Sequence, residues 1–320
     1  MREIDRLTTE RYATPSLLLM EAAANAAAQA IAARFSQDLA GLQALILCGR
    51  GNNGGDGAAL ARVLWMHGAL VDVVLFGRLE ETRGDARANF EIVQRLAEAE
   101  LVAEKQTPGW LSFKECPTES EWEDVFRISS VTNDVIVDAL FGTGLTRPLE
   151  GVYRQVVERF SLNRQTLAFA DDTRPLIVSL DLPSGLNADA AELIGDAVRA
   201  DLTVTFTAPK SANVLPPACD LNGQLIVADI GSPAALIVEA DSQLFLTEAS
   251  DARAWLVQTR YQPGSYKNTH GHALIIAGSR QMSGAAVCAA GRPCAQARDS
   301  SPSPRPRPHC QPSPRASSPK

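Results

Sequence analysis

Hydrophobic positions alternate, over residues 1–230, between short apolar runs and longer segments with helical spacing. The apolar runs, rich in Val, Ile and Leu, are Leu42–Cys48, Leu70–Phe76, Asp134–Leu140, Leu176–Leu180, Leu202–Thr207 and Gln224–Ala228. The segments with helical spacing are Ser16–Phe35, Gly55–His67, Arg83–Ala99 and Gly151–Phe160. A strand, a helix and a second strand in this order predict right-handed β-α-β units.

This alternation predicts the fold class. Strands that are apolar almost throughout are typical of a sheet whose two faces are both covered by helices. We therefore predict an α/β fold over about residues 1–230, a three-layer αβα sandwich with a Rossmann-like, mostly parallel sheet. The acidic stretch Thr107–Val125 has neither pattern, and we expect it to be an insertion or a surface loop.

The pattern changes after Pro233. Residues 236–253 are predicted to be a connector, and residues 254–290 the beginning of a second unit, with a strand and glycine turn in Lys267–Ser279 and a helix from Met282. Residues 291–320 have no apolar period and hold eight of the nineteen prolines. This composition predicts a solvated, disordered tail.

The tail also has an unusual coding property. Codons for Pro293–Pro304 can be chosen so that a one-base shift encodes Leu-Arg-Ser-Gly-Ser-Gly-Leu-Val-Thr-Val-Ala, which reads as a helix end, a turn and a strand. We therefore expect a frameshift, in the gene or in its sequencing, near residue 291. A natural disordered basic extension is the alternative.

Charge and composition exclude several classes of partner. The chain has a net charge of −7, but its last thirty residues carry +5, so the preceding 290 carry −12. A body this acidic does not attract nucleic-acid phosphates in general, and we expect no nucleic acid as a partner. The sequence has no run of eighteen apolar residues and no leader segment, so we expect no membrane interaction and a cytoplasmic protein. Six cysteines without a CxxC pair fit reduced thiols rather than a disulfide frame or a zinc site.

Three loops that follow predicted strands carry the candidate chemistry: Gly49–Gly57, Asp138–Pro148 and Asp181–Asn187. In open parallel sheets, ligands bind where such loops converge beyond the carboxyl ends of the strands. Glycines allow positive φ and close approach of the backbone to a ligand, and a following helix offers free N–H groups to a phosphate. The spacing in Gly49–Gly57 matches neither the dinucleotide fingerprint nor a P-loop. A plain tight turn between strand and helix accounts for such a loop equally well.

Short polar side chains in these loops suggest two roles. Asn53, Asp138 and Ser184 together form a plausible set of oxygen ligands for one monovalent or divalent cation. Asp181 is left as a carboxylate near the same point, where it is available for general acid or base catalysis. Taken alone, each aspartate is more often a helix cap or turn former. No histidine falls near the three loops, which argues against a Ser-His-Asp arrangement.

At these loops the sequence resembles the YjeF N-terminal family of NAD(P)H-hydrate epimerases. The resemblance rests on Gly49–Gly57 (GRGNNGGDG), Val137–Gly151 (VDALFGTGLTRPLEG), Ser179–Asp189 (SLDLPSGLNAD), the helix Leu17–Ala26 and the segment Ala200–Lys210. These motifs occur in order over roughly residues 1–235. The resemblance implies that the chain interconverts the R and S epimers of NADH or NADPH hydrate, which carry a hydroxyl at C6 of the nicotinamide ring.

The resemblance also implies a role for each site residue. Residues that would contact the hydrate are Asn52, Asn53, Gly54, Gly55, Asp56, Gly142, Thr143, Gly144, Leu145, Thr146, Arg147, Pro148 and Asp181. Asn53, Asp138 and Ser184 would bind a potassium ion, and Asp181 would transfer the proton. A homodimer is the family expectation. The helix Leu17–Ala26 is expected to line the site or a dimer contact.

By the same resemblance, residues 254–290 are the start of a truncated ADP-dependent NAD(P)H-hydrate dehydratase domain of ribokinase-like fold. Dehydratase activity is therefore expected to be absent. Residues 1–235 are open to two other interpretations. One is a binding or scaffold module without catalysis, against which the joint presence of Asn53, Asp138, Asp181 and Ser184 argues. The other is an ordinary NAD-dependent dehydrogenase, which the glycine spacing disfavours.

Overall fold

The computed structural model describes residues 1–102, 109–129, 133–166 and 174–240, then 242, 244–258 and scattered positions from 260 to 287. The chain divides into two compact units, Met1–Leu246 and Thr247–Lys320. This division falls inside the predicted connector, residues 236–253. The predicted strand and turn in Lys267–Ser279 lie almost wholly outside the described residues, and so does the tail from residue 291.

The strands of the described residues form one seven-stranded sheet in the first unit. They are β1 (Gln43–Cys48), β2 (Leu70–Leu75), β3 (Trp110–Glu115), β4 (Val135–Ala139), β5 (Leu176–Leu180), β6 (Leu202–Phe206) and β7 (Gln224–Ala228). Their order is β3-β2-β1-β4-β5-β6-β7, and every neighbouring pair is parallel. The chain winds outward on one side from β1 and on the other from β4, so the point where the order reverses lies between these two strands. Ligands of open α/β sheets bind at this point.

Helices cover both faces of the sheet. The described helices are α1 (Arg2–Tyr12), α2 (Ser16–Ala32), α3 (Asn52–Met66), α4 (Gly84–Val102), α5 (Glu119–Ser129), α6 (Gly151–Thr166), α7 (Ser211–Val214), α8 (Ala234–Glu239) and, in the second unit, α9 (Ala249–Gln258). On one face α2, α3 and α4 bury Ile31, Leu60 and Phe90 against the sheet. On the other, α5 and α6 bury Trp122 and Val156. The predicted three-layer α/β sandwich is confirmed.

The expectation of a loop at Thr107–Val125 is wrong. This stretch contains the edge strand β3, which pairs only with β2 among the described strands, and the start of α5. Leu111 and Trp122 anchor the two elements, and both side chains are almost completely buried. An edge strand with polar residues between its apolar ones gives no continuous apolar run. The sequence pattern therefore failed where a strand is only partly covered.

Helix boundaries differ from the predicted ones in an informative way. Helix α3 begins at Asn52 rather than at Gly55, so the motif Gly49–Gly57 is mostly helix. Helix α2 ends at Ala32, before Ser36 and Gln37 turn the chain with positive φ. Besides α5, four of the described helices had no predicted counterpart: α1, the short α7, and α8 and α9 around the predicted connector. In α1 only Ile4 and Thr8 are buried, which is too few for a recognisable period.

Among the described residues, no helix combines the length and the apolar character needed to cross a membrane.

Candidate functional site

A cleft of about 520 Å³ opens at the carboxyl ends of the central strands. Its walls come from the loops after β1 and β4, the end of β5, and helices α1 and α2. Seven of the predicted site residues line it: Asn52, Asn53, Asp56, Gly142, Thr143, Gly144 and Asp181. Leu19, Met20 and Ala23 of α2 line it as well, so the helix is at the site, one of the two places expected for it.

The glycines of the first motif serve close packing rather than positive φ. None of its five glycines has positive φ. A Cβ on Gly49 would lie 2.0 Å from the Leu140 carbonyl oxygen, and one on Gly54 would lie 1.8 Å from that of Gly49. Gly49 is therefore pressed against the loop that follows β4, and the first turn of α3 is pressed against Gly49. This close approach leaves no room for side chains at either glycine.

Asp138, near the end of β4, joins the loop after β4 to the loop after β5 through hydrogen bonds. Its side chain is 1 % exposed. One oxygen accepts hydrogen bonds from the Ser184 N–H and the Ser179 hydroxyl, both at 2.8 Å, and the other accepts from the Ser184 hydroxyl at 2.5 Å. The Phe141 N–H donates to Ser184 Oγ at 2.9 Å. Burial raises the pKa of Asp138, and the hydrogen bonds from Ser184 and Ser179 offset part of that rise.

Asn53 lies at the start of α3 with an unsatisfied side chain. The residue is buried, and neither its side-chain oxygen nor its nitrogen has a hydrogen-bond partner among the described residues. A Cβ built on Gly142 would lie 3.5 Å from the Asn53 side-chain oxygen. Gly142 follows Phe141, which is hydrogen-bonded to Ser184, so the three predicted cation ligands are brought to one region. A buried amide without partners is costly unless a ligand completes it.

Asp181 follows β5 and has an unusual backbone. Its φ is 66°, in the left-handed region that non-glycine residues rarely adopt, and the residue is 9 % exposed. One carboxylate oxygen forms an ion pair with Lys210 and faces the Thr205 hydroxyl at 3.4 Å. The other oxygen lies beside Gly142, where a Cβ would approach it to 2.7 Å. A strained backbone at a cleft carboxylate is typical of functional sites.

Sequence reasoning placed Lys210 in a motif but gave it no role. Lys210 is buried and lines the cleft beside Asp181. Its ammonium group also donates to the Thr205 hydroxyl at 2.8 Å and to the Phe206 carbonyl at 3.0 Å. A lysine placed just after a fully buried strand was a usable signal, because lysine is almost never buried without partners.

Two further carboxyl groups face the same cleft, Asp5 of α1 and Asp56 of α3. Burial raises the pKa of both, and the charge of Lys210 lowers both. For Asp56 the rise is large, and the charges of Asp181 and Asp5 add to it. Asp5 was not predicted, because α1 itself was not.

Two guanidinium groups also belong to the cleft. Arg2 donates to the Thr143 carbonyl at 2.7 Å, and Arg50 is paired with Glu81 at 3.4 Å. Both side chains line the cleft of a body that is otherwise acidic. They supply the positive charge that an anionic ligand needs there.

Other predicted site residues do not line the cleft. Gly54 and Gly55 are buried packing positions, and Asp138 and Ser184 lie behind the cleft wall. Leu145 is buried in the core on the α5 and α6 face. Thr146, Arg147 and Pro148 are exposed outside it. Substrate contact stays a prediction for the glycines and for Leu145–Pro148, and cation binding stays a prediction for Asp138 and Ser184.

Comparison with known proteins adds the family. The chain matches the model of the YjeF-related protein N-terminus over residues 16–212. It is 39% identical over 285 residues to the bifunctional NAD(P)H-hydrate repair enzyme Nnr of Thermofilum pendens, covering 88% of this chain and 47% of that protein. It is 33% identical over 238 residues to the NAD(P)H-hydrate epimerase of Rhodopirellula baltica, covering 74% of this chain and 84% of that protein.

The fold has a relative of known structure as well. The crystal structure of yeast ynu0, YNL200c, aligns with a TM-score of 0.54 and 23% identity over 78% of this chain and 94% of that one. The chain spans about half the length of the bifunctional relatives it matches. The family model covers the loops after β1, β4 and β5, and with them Asn53, Asp138 and Asp181. This chain belongs to the family of the YjeF-related protein N-terminus.

Proposed function

We propose that this chain epimerises the R and S forms of NAD(P)H hydrate at C6 of the nicotinamide ring. The observation that carries the proposal is the geometry of Asp181, whose carboxylate is held by one oxygen and open at the other, in a cleft at the point where the strand order reverses. Relatives named NAD(P)H-hydrate epimerase match over most of their own length, 84% and 93% in two cases. Their names support this substrate over other dinucleotides.

The reaction needs one proton acceptor that also returns the proton. In our proposal the open oxygen of Asp181 takes the proton of the C6 hydroxyl as the C6–N1 bond breaks. The bonding electrons pass from N1 through the C2–C3 double bond to the carboxamide oxygen, and C6 becomes an aldehyde. Rotation about the C5–C6 bond presents the other face of the aldehyde to N1. Ring closure reverses the electron flow, and Asp181 gives the proton back to the new hydroxyl.

The walls of the cleft suit the rest of the substrate. The N–H groups at the start of α3 and the guanidinium groups of Arg2 and Arg50 would hold the pyrophosphate. The nicotinamide end would then reach Asp181 and Gly142. Because the body carries −12, binding of this anionic substrate depends on such local donors rather than on the overall field.

We further propose that a potassium ion is held by Asn53, Asp138 and Ser184. The residues fit the group, because the Asn53 side chain is buried without a partner and Asp138 and Ser184 supply oxygen atoms in direct contact with each other. The ion would supply positive charge between the three loops. Asn53 and Ser184 would orient the loops after β1 and β5 toward it, and Asp138 already connects the loops after β4 and β5.

The function is tested with a coupled assay. The purified chain is incubated with mixed R and S hydrates and a separate dehydratase specific for the S form, with potassium or with choline as the only monovalent cation. We expect the chain to accelerate consumption of the R form, and potassium to increase that rate. No acceleration in either salt would refute the epimerase proposal. Acceleration that is equal in both salts would refute the potassium site alone.

Two finer proposals can be tested with the same material. We propose that residues 254–290 contribute no dehydratase activity, so the chain alone should not dehydrate the S form with ADP or ATP. Dehydration by this chain would overturn that proposal. We also propose a homodimer, which light scattering on the purified chain would detect as twice the chain mass of 34.2 kDa.

A further inference from the structure

The buried ammonium group of Lys210 has all of its donors in use within the protein. A lysine ammonium has three N–H donors and no acceptor. In this structure it meets Asp181, the Thr205 hydroxyl at 2.8 Å and the Phe206 carbonyl at 3.0 Å. No donor remains for a substrate. Lys210 therefore acts on the cleft through the groups that it holds.

The two oxygens of the Asp181 carboxylate have different surroundings. One oxygen receives the Lys210 ion pair and faces Thr205 at 3.4 Å. The other oxygen lies next to the space above Gly142, which only a residue without Cβ leaves open. A carboxylate fixed at one oxygen has a single orientation for its other oxygen.

We propose that Lys210 is the positioning residue of this site, which fixes Asp181 by one oxygen so that the other oxygen alone faces the reacting hydroxyl. This inference rests on the proposed epimerase function for its kinetic consequences, but the contact itself does not depend on it.

A network behind the cleft supports Lys210. The backbone N–H of Lys210 donates to the Asn213 side-chain oxygen at 2.8 Å, and the Thr205 hydroxyl lies 3.3 Å from the same oxygen. Asn213 donates in turn to Asn222 at 3.2 Å. Because each of these residues is buried, Lys210 has little freedom to move away from Asp181.

The charges around Asp181 make a cation necessary. The carboxyl groups of Asp5 on α1 and Asp56 on α3 face the same cleft and disfavour a further negative charge there. Among the described residues, the guanidinium groups that line the cleft are those of Arg2 and Arg50. Lys210 is the buried cation in direct contact with Asp181.

The test compares Lys210→Met with Lys210→Arg in the coupled assay. We expect Lys210→Met to lower kcat about 10- to 100-fold with a much smaller change in KM, since Lys210 has no donor for the substrate. Lys210→Arg keeps the positive charge beside Asp181 and should recover part of the kcat that Lys210→Met loses. Lys114→Met, at an exposed lysine on β3, is the matched control.

Folding and function are separated by two further measurements. Thr205→Val removes an acceptor from Lys210 without removing the charge, and it should lower kcat by less than Lys210→Met does. The carbon-13 NMR resonance of the Asp181 carboxyl group reports the contact at one fixed pH without any substrate. A changed resonance position in Lys210→Met, with no change in Lys114→Met, supports the proposal even if the chain proves to have no epimerase activity. An unchanged resonance in Lys210→Met, or a kcat for Lys210→Met equal to that of the Lys114→Met control, would overturn it.

Discussion

Asp138 and Asp181 stand at the carboxyl ends of the neighbouring strands β4 and β5, yet their surroundings differ. Asp138 is fully enclosed and accepts hydrogen bonds on both oxygens, from Ser179 and Ser184. Asp181 has a positive φ, one oxygen paired with Lys210 and the other open at the cleft. The two carboxylates share a residue type and a place in the fold but not a set of partners.

Because their partners differ, the two aspartates have different roles. A carboxylate whose oxygens are both occupied holds loops together and has no free position for a substrate proton. A carboxylate that is held on one side only can exchange a proton on the other without losing its orientation. Substitutions that act on one aspartate and spare the other therefore test this difference.

The largest loss of stability is expected for Asp138→Ala. The Ser184 N–H and the hydroxyls of Ser179 and Ser184 would lose their buried acceptor, which costs about 3 kcal/mol in the free energy of unfolding. Urea denaturation measures this loss. Asp134→Ala, at the opposite end of β4, removes one exposed hydrogen bond to Gln43 and should cost about 1 kcal/mol. Equal losses in the two variants would show that Asp138 has no special role in joining the loops.

A loss of activity with little loss of stability is expected for Gly142→Ala. The new Cβ would lie 2.7 Å from the open oxygen of Asp181 and would displace it, which should lower kcat about 100-fold. Gly144→Ala, in the same loop, places its Cβ in an ordinary 3.5 Å contact with Arg2 and should lose far less. If the coupled assay gives the same kcat for both variants, the open oxygen of Asp181 is not where the reaction occurs.

The smallest effect is expected for Asp56→Asn, and it is a change in how the unfolding temperature depends on pH. The pKa of Asp56 is raised in the folded state, so the folded protein binds this proton more tightly than the unfolded chain does. Protonation of Asp56 makes its full contribution to the free energy of unfolding at pH values below the ordinary aspartate pKa. This contribution is lost as the pH rises through the raised pKa of the folded state. Asp56→Asn should therefore unfold at a higher temperature than the wild type at pH 8, with a smaller difference at pH 4. Asp189→Asn, at an exposed carboxyl group, should show no such trend.

The sequence predicted those site residues that lie at the end of a strand or directly after it. Apolar runs locate the ends of β4 and β5 within about a residue, and this places Asp138, Asp181 and Ser184 at one edge of the sheet. Asp5 and Lys210 could not be placed in this way. Asp5 lines the cleft from α1, which has too few buried residues to be recognised in the sequence. The buried strand before Lys210 signals that this lysine is buried, but its pairing with Asp181 depends on packing between distant segments.

The glycines show a second limit of the sequence. The glycines of Gly49–Gly57 were expected to allow positive φ or close approach to a ligand, and in the structure Gly49 and Gly54 have neither positive φ nor room for a Cβ beside neighbouring backbone. Sequence alone does not distinguish these uses, because both require only the absence of Cβ. The same ambiguity hid the helical start of α3 at Asn52.

The central claim is that Asp181 transfers the proton, and kcat of Asp181→Asn tests it most directly. Asparagine tolerates the left-handed backbone at this position, so the variant should keep the local fold. The account predicts that epimerisation of the R hydrate falls about 100- to 10,000-fold in the coupled assay while the substrate still binds. Wild-type epimerisation by an Asp181→Asn variant that binds the hydrate normally would contradict the account.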